Sequence, residues 1–216
     1  WMQELLTRGI PISPRTRATA LFFTSWGAMW RKPSHEVLRG LEEAERLFED
    51  AGDADAAAMV LGARGTARLR FADLDVPVAF AELNDAVARL HELDDWWSES
   101  AAGVGLGLLT MAAGDLPNAL AHFERALQIG EERDDAFLRV LAGNNVARVR
   151  FHTGETARAT EDYGVVLALS AQLGFDEGSQ YALEGLSAVA ALAGDGWRAG
   201  ALASVAAAVR QRVGLF

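Results

Sequence analysis

Gly114-Asp115-Leu116-Pro117-Asn118-Ala119-Leu120-Ala121-His122-Phe123-Glu124-Arg125-Ala126-Leu127 holds the end of one helix and the opening of the next. Gly114 tolerates the left-handed conformation in which many helices end. Asp115 offers a carboxylate to the free N–H groups at the start of the following helix and faces the positive end of its dipole. Pro117 falls in the first turn, where a missing N–H does no harm. Ala119, Phe123 and Ala126 then recur at helical spacing, a small–large–small stripe against which a second helix can pack closely.

The same marks return every 40 residues without gaps. Ala119 aligns with Ala79, Ala159 and Ala199, and Asp115 aligns with Asp75, Glu155 and Asp195. Gly114 aligns with Leu74, Gly154 and Gly194, Phe123 with Leu83, Tyr163 and Ala203, and Ala126 with Ala86, Val166 and Ala206. Upstream, Ala67, Gly107, Ala147 and Ser187 share one small-residue position. A fixed period of this length is the mark of a stacked repeat, in which each unit is one supersecondary element that cannot bury its apolar face alone.

The unit reads as helix, short turn, helix and loop. The first helix of each unit is expected at about 56–72, 98–113, 136–152 and 177–193, and the second at about 76–92, 116–132, 156–172 and 196–212. A less regular unit precedes them, with helices at about 14–30 and 34–51. There Trp26-Gly27 takes the small-residue place, Lys32-Pro33-Ser34 makes the turn, Ala44 and Leu47 are the packing marks after a one-residue shift, and Asp50-Ala51-Gly52-Asp53 ends the unit. The five units are thus 14–53, 56–93, 98–133, 136–173 and 177–213, forming one repeat domain over 1–216. Trp1-Met2-Gln3-Glu4-Leu5-Leu6 reads as the tail of a helix, and Val213-Gly214-Leu215-Phe216 stops without a polar cap. Both ends are therefore expected to be cuts in a longer protein, since a solenoid needs polar capping ends.

Composition agrees with an all-α fold and narrows the function. Half the residues are hydrophobic, alanine and leucine dominate them, and proline is scarce. The absence of cysteine excludes disulfides and thiolate metal sites and fits a cytoplasmic setting. A formal net charge of −10 argues against direct nucleic-acid binding. No stretch has the apolar length to cross a bilayer, and no signal peptide is visible.

The pattern resembles the tetratricopeptide (TPR) consensus, matched best by Leu106-Gly107, Ala119, Phe123 and Ala126. The usual TPR unit is about 34 residues, against 40 here. The resemblance implies a right-handed superhelix of antiparallel helix pairs, an α-solenoid whose first helices line a concave binding face. A narrower likeness rests on Ala182-Leu183-Glu184-Gly185-Leu186-Ser187, on Ala193-Gly194-Asp195-Gly196-Trp197-Arg198-Ala199, and on Leu120 to Leu127. These segments look like the helical-repeat sensor arm of large LuxR-type and maltose-regulator-like bacterial transcriptional regulators. That likeness implies a regulatory arm that binds a protein, a peptide or an anionic small molecule and contacts other domains of its parent chain. The alternative is a structural scaffold or self-association module, with a second copy of the chain as partner.

On the expected concave face one position holds Gly65, Gly105, Asn145 and Gly185. Three glycines there mean either a wall cleared for a ligand or close packing between helices. Beside them come Arg64, Arg68, Asn144, Asn145 and Arg148, with Tyr181 and Glu184 beyond. Arginine's planar fork of donors suits carboxylate or phosphate, so an acidic peptide, a C-terminal carboxylate or a phosphorylated metabolite would fit. The competing reading is that these arginines pair with the chain's own acids. Phe71, Met111 and Phe151 recur at the same spacing as groove floor or as core, and Trp96-Trp97 is expected in the loop before a helix.

Gly103-Val104-Gly105-Leu106-Gly107 has the look of a nucleotide-binding loop but falls inside a repeat helix rather than between strand and helix. His35, His91, His122 and His152 stand singly, without metal-ligand spacing. No nucleophile–base pair or paired-carboxylate arrangement stands out, so neither catalysis, a metal nor a cofactor is expected.

Overall fold

The computed structural model describes residues 2–7, 11–31, 34–71 and 75–213, and every regular element among them is an α-helix. The helices are α1 (Met2–Thr7), α2 (Pro14–Arg31), α3 (His35–Asp50), α4 (Ala54–Arg68), α5 (Val76–Glu92), α6 (Trp96–Ala112), α7 (Leu116–Glu132), α8 (Ala136–His152), α9 (Thr156–Leu173), α10 (Asp176–Leu192) and α11 (Gly196–Val213). Expectations placed on Trp1, Lys32, Pro33, Leu74 and Gly214-Leu215-Phe216 lie outside the described residues.

Most helix limits fall within two residues of those read from the sequence. The exception is the end of α4, which stops at Arg68 rather than near residue 72. Leu69, Arg70 and Phe71 each donate a backbone bond three residues back, to Thr66, Ala67 and Arg68, so the chain leaves the helix through a tightened last turn. Trp96 and Trp97 likewise open α6 rather than lying in the preceding loop.

The turn chemistry follows the repeat. Gly114, Gly154 and Gly194 have φ of +86°, +86° and +79°, as a left-handed helix end requires. Asp75, Asp115 and Asp195 each cap the next helix by accepting from the backbone N–H three residues on. Glu155 makes no such bond; its longer side chain accepts from Arg158 and Thr153 instead. The loops between units carry a second left-handed position that sequence reading missed: Asp94, Asp134 and Gly174, again 40 apart, with φ of +57°, +53° and +63°. Aspartate tolerates this region better than most residues with a Cβ. Asp95 and Asp135, next in line, cap α6 and α8.

The chain divides into two compact units, 1–109 and 110–216. In the first, α2 packs on α3, α3 on α4 and α4 on α5. Met29, Leu41, Phe48 and Val60 form one buried cluster, and Leu61, Leu83, Leu90, Leu106 and Leu109 form another. In the second, α7, α8, α9, α10 and α11 pack in chain order and α10 also lies against α8. Val140, Ala147, Ala159, Tyr163, Val166 and Ala182 are its buried cluster. The small–large–small stripe is therefore core: Ala79, Leu83, Ala86, Ala119 and Phe123 are wholly buried. Burying a Leu or Phe of this kind contributes about 1.5–3 kcal/mol.

Candidate functional site

The seven groove residues read from the sequence fall into two sets, one in each unit. In the first unit Arg64 and Arg68 stand one turn apart on α4, and both reach Glu82 of α5. Arg64 Nε lies 3.0 Å from Glu82 Oε1, and Arg68 grips the same carboxylate with two bonds, Nε to Oε2 at 2.6 Å and Nη2 to Oε1 at 2.9 Å. Arg64 also pairs with Glu45 of α3. The side chains of Glu45, Arg64 and Glu82 are only 10–15% exposed, so two cations and two anions form a nearly dry network joining three helices. The hydrogen bonds that Arg68 donates to Glu82 raise its pKa above the ordinary arginine value. Desolvation by burial raises the Glu45 carboxyl above the usual range, outweighing the attraction of Arg64. For this pair of arginines the reading of internal acids as partners holds.

The second unit brings Asn144, Asn145 and Arg148 together on α8 and turns them towards α9 and α10. Asn144 Nδ2 donates to the Gly178 carbonyl of α10 at 3.3 Å. Asn145 Nδ2 donates to the Leu141 carbonyl at 2.8 Å, and its Oδ1 accepts from Arg148 Nη2 at 2.7 Å. Among the described residues no carboxylate pairs with Arg148. Desolvation by burial lowers its pKa from the ordinary arginine value, and Tyr163 and Tyr181 lie within electrostatic reach. Arg148 Nε and Asn144 Oδ1 are buried without a hydrogen-bond partner. Burial pushes the Tyr163 hydroxyl up to about 12, so it stays protonated at neutral pH. Tyr181 is 41% exposed and donates to Glu177 at 3.4 Å. Glu184 is turned away from this group, to Arg210 of α11.

The glycine position is packing rather than a cleared wall. A Cβ on Gly65 would stand 2.6 Å from Leu83 Cγ, one on Gly105 2.9 Å from Leu83 Cδ2, and one on Gly185 2.1 Å from Tyr163 Cζ. Each glycine makes room for the large residue of the neighbouring second helix. Phe71 is half-buried against His35, with ring centroids 5.2 Å apart, and Phe151 packs on the buried cluster of the second unit.

Sequence reading treated Tyr163 only as a packing mark. Its hydroxyl, in a register that holds Leu83 and Phe123 elsewhere, was the signal that could have set it apart. It also missed Arg150, which joins Asp162 of α9 at 2.7 Å to Glu124 of α7 at 2.9 Å and so matches its own charge internally. Among the described residues no group of three His, Asp or Glu side chains could hold a metal ion, and no helix is long and apolar enough to cross a membrane.

In sequence, neither a family model nor a curated protein matches the chain. In structure, the chain is similar to a Rap protein complexed with Competence and Sporulation Factor, with a TM-score of 0.81 and 13% identity over 97% of this chain. It spans 58% of that Rap chain's length. It is also similar to a kinesin light chain from Podospora anserina with nearly identical TPR-like repeats, with a TM-score of 0.63 and 16% identity over 94% of this chain and 99% of that one. The fold is accordingly an all-α, TPR-like helical repeat.

Proposed function

We propose that this TPR-like chain is a non-catalytic binding module that recognises a protein, a peptide or a smaller anionic effector through the face shared by α8 and α10. One observation carries the reading. In a chain with 30 acidic and 20 basic residues, Arg148 is a half-buried cation whose neighbours are tyrosines and an asparagine. Desolvating a charge without a counter-ion is unfavourable, and an arriving anion would relieve it. Arg64 and Arg68, with Glu45 and Glu82 already on them, have no such deficit. The Rap protein to which the chain is similar was solved with a bound factor, which supports a role in recognition.

The likeness to regulator sensor arms supports a finer reading: a cytoplasmic regulatory arm of a larger bacterial signalling protein. An effector would there bias the parent by binding one of its states more tightly than the other. The test is titration of the chain with short acidic peptides and phosphorylated metabolites, followed by calorimetry. Arg148→Gln should abolish the binding found, and Arg68→Gln should leave it in place. The opposite pattern would overturn the assignment to α8.

A scaffold or self-association role has its own observation. Leu192, Trp197 and Val205, at the end of α10 and along α11, are 66%, 85% and 51% exposed. Sedimentation as a function of concentration separates the two readings, since only self-association raises the mass.

A further inference from the structure

A cavity of about 620 Å³ lies in the first unit, bounded by the last turns of α3 and α5 and the start of α4. That is the size of a small-ligand site. Ala54, Ala57 and Leu93 make its apolar wall, and Glu49, Arg89 and Glu92 line much of the remainder. The repeat shows why the space is open. Ala58, Ser98 and Leu138 are buried at one register position, and the residues just before them are Ala57, Trp97 and Phe137. Where the later first helices carry a large aromatic ring, α4 carries a methyl group.

The charges around the cavity are unequal. Arg89 is committed to Asp85 on its own helix, with Nε 3.0 Å from Oδ1 and Nη2 2.7 Å from Oδ2. Its remaining contact, from Nη1 to Glu49 Oε1, is loose at 3.5 Å. Among the described residues the Glu92 carboxylate has no partner. Glu49, Asp85 and Glu92 thus stand against a single guanidinium, an excess of negative charge. The helices α3 and α5 both end here, and the carbonyl end of a helix dipole adds to the negative potential. An anion is repelled, and the arginine that could hold it already has its acceptors. A cation is attracted. A quaternary ammonium favours a cage of aromatic rings, and none lines this cavity. A primary ammonium needs acceptors instead, and its three N–H donors suit a pair of carboxylates.

We infer that this cavity takes a primary ammonium on an aliphatic chain, the chemistry of a lysine side chain or of a free alkylamine. The ammonium lies between the carboxylates of Glu49 and Glu92, and its methylenes cover Ala54, Ala57 and Leu93. The site is distinct from the face on α8 and α10 and does not depend on it.

The test titrates the whole chain with pentylamine, diaminopentane, N-acetyl-lysine methylamide, pentanol, hexanoate and tetramethylammonium, read by backbone amide shifts in NMR. The primary amines should shift the amides of Ala54, Ala57 and Leu93 saturably. Pentanol, hexanoate and tetramethylammonium should each bind about tenfold more weakly or worse, because each lacks the positive charge or the N–H donors. Tighter binding of the lysine derivative than of diaminopentane assigns the source to a protein lysine; equal or weaker binding assigns it to a free amine. Glu49→Gln and Glu92→Gln, at exposed carboxylates, should each weaken the amines about tenfold. Ala54→Phe, also at an exposed position, should fill the cavity and abolish the shifts with helix content unchanged. Pentanol or hexanoate binding as tightly as pentylamine overturns the inference. So do amine shifts that survive the loss of both carboxylates, shifts that spread over the surface acids without saturating, and the absence of any shift at these amides.

Discussion

The ring of Tyr163 occupies the space that a side chain at residue 185 would need: a Cβ there would lie 2.1 Å from Cζ and 2.4 and 2.5 Å from the two Cε atoms. Gly185→Ala must therefore move a buried ring. Overpacking of this kind costs about 1–3 kcal/mol, and replacing a mid-helix glycine returns about 1 kcal/mol. The expected outcome is a net loss of about 1 kcal/mol in urea unfolding, with a displaced Tyr163. Gly164→Ala is the control. Nothing lies within 4 Å of its Cβ, so stability should rise by about 0.5–1 kcal/mol.

Glu82 is the shared anion of Arg64 and Arg68. Glu82→Gln leaves two cations in a nearly dry network with one carboxylate, a loss on the order of 3 kcal/mol. Glu155→Gln breaks a pair whose arginine side chain is 71% exposed, and should cost less than about 1 kcal/mol. Equal losses in denaturant unfolding would show that the network contributes no more than a surface pair.

Glu45 gives a pH dependence of definite sign. Its folded carboxyl titrates above its unfolded value because burial outweighs Arg64. The folded state then binds the proton more readily, so this group's contribution is full at acidic pH and is lost as pH rises through the folded value. Unfolding midpoints measured from about pH 4 to pH 7 should contain a falling component that Glu45→Gln removes. A variant whose stability falls more steeply than the parent's would contradict this.

The turns can be tested in pairs. Gly154 has φ of +86° and Asp134 φ of +53°. Gly154→Ala puts a Cβ into the left-handed region and should lower stability by about 1 kcal/mol. Asp134→Gly relieves the same strain at a position that is almost fully exposed, and should raise stability by less than about 1 kcal/mol. Thermal unfolding of the two variants checks both signs.

The helix pairs were legible because each mark has a local cause. Gly114, Asp115 and Pro117 act on their own turn, and Ala119, Phe123 and Ala126 repeat with the helical period. The end of α4 was not, since no glycine marks it and the tightened turn at Leu69–Phe71 leaves no signature in residue type. The candidate face was half legible. Asn144, Asn145 and Arg148 share a face by spacing alone, but what separates Arg148 from Arg64 and Arg68 is the placement of Glu45 and Glu82. Those acids lie on other helices, 14 to 19 residues away in the chain, where no single-helix periodicity connects them.

The unmade cap at Glu155 gives α9 a looser entrance than its equivalents. At α5, α7 and α11 an aspartate occupies the backbone N–H of Val78, Asn118 and Arg198; at α9 the corresponding N–H, on Arg158, has no carboxylate. In deuterated solvent that amide should exchange ahead of its three counterparts. Because α9 carries Tyr163 two turns further on, fraying that starts at Thr156 would run towards the ring that lies within electrostatic reach of Arg148.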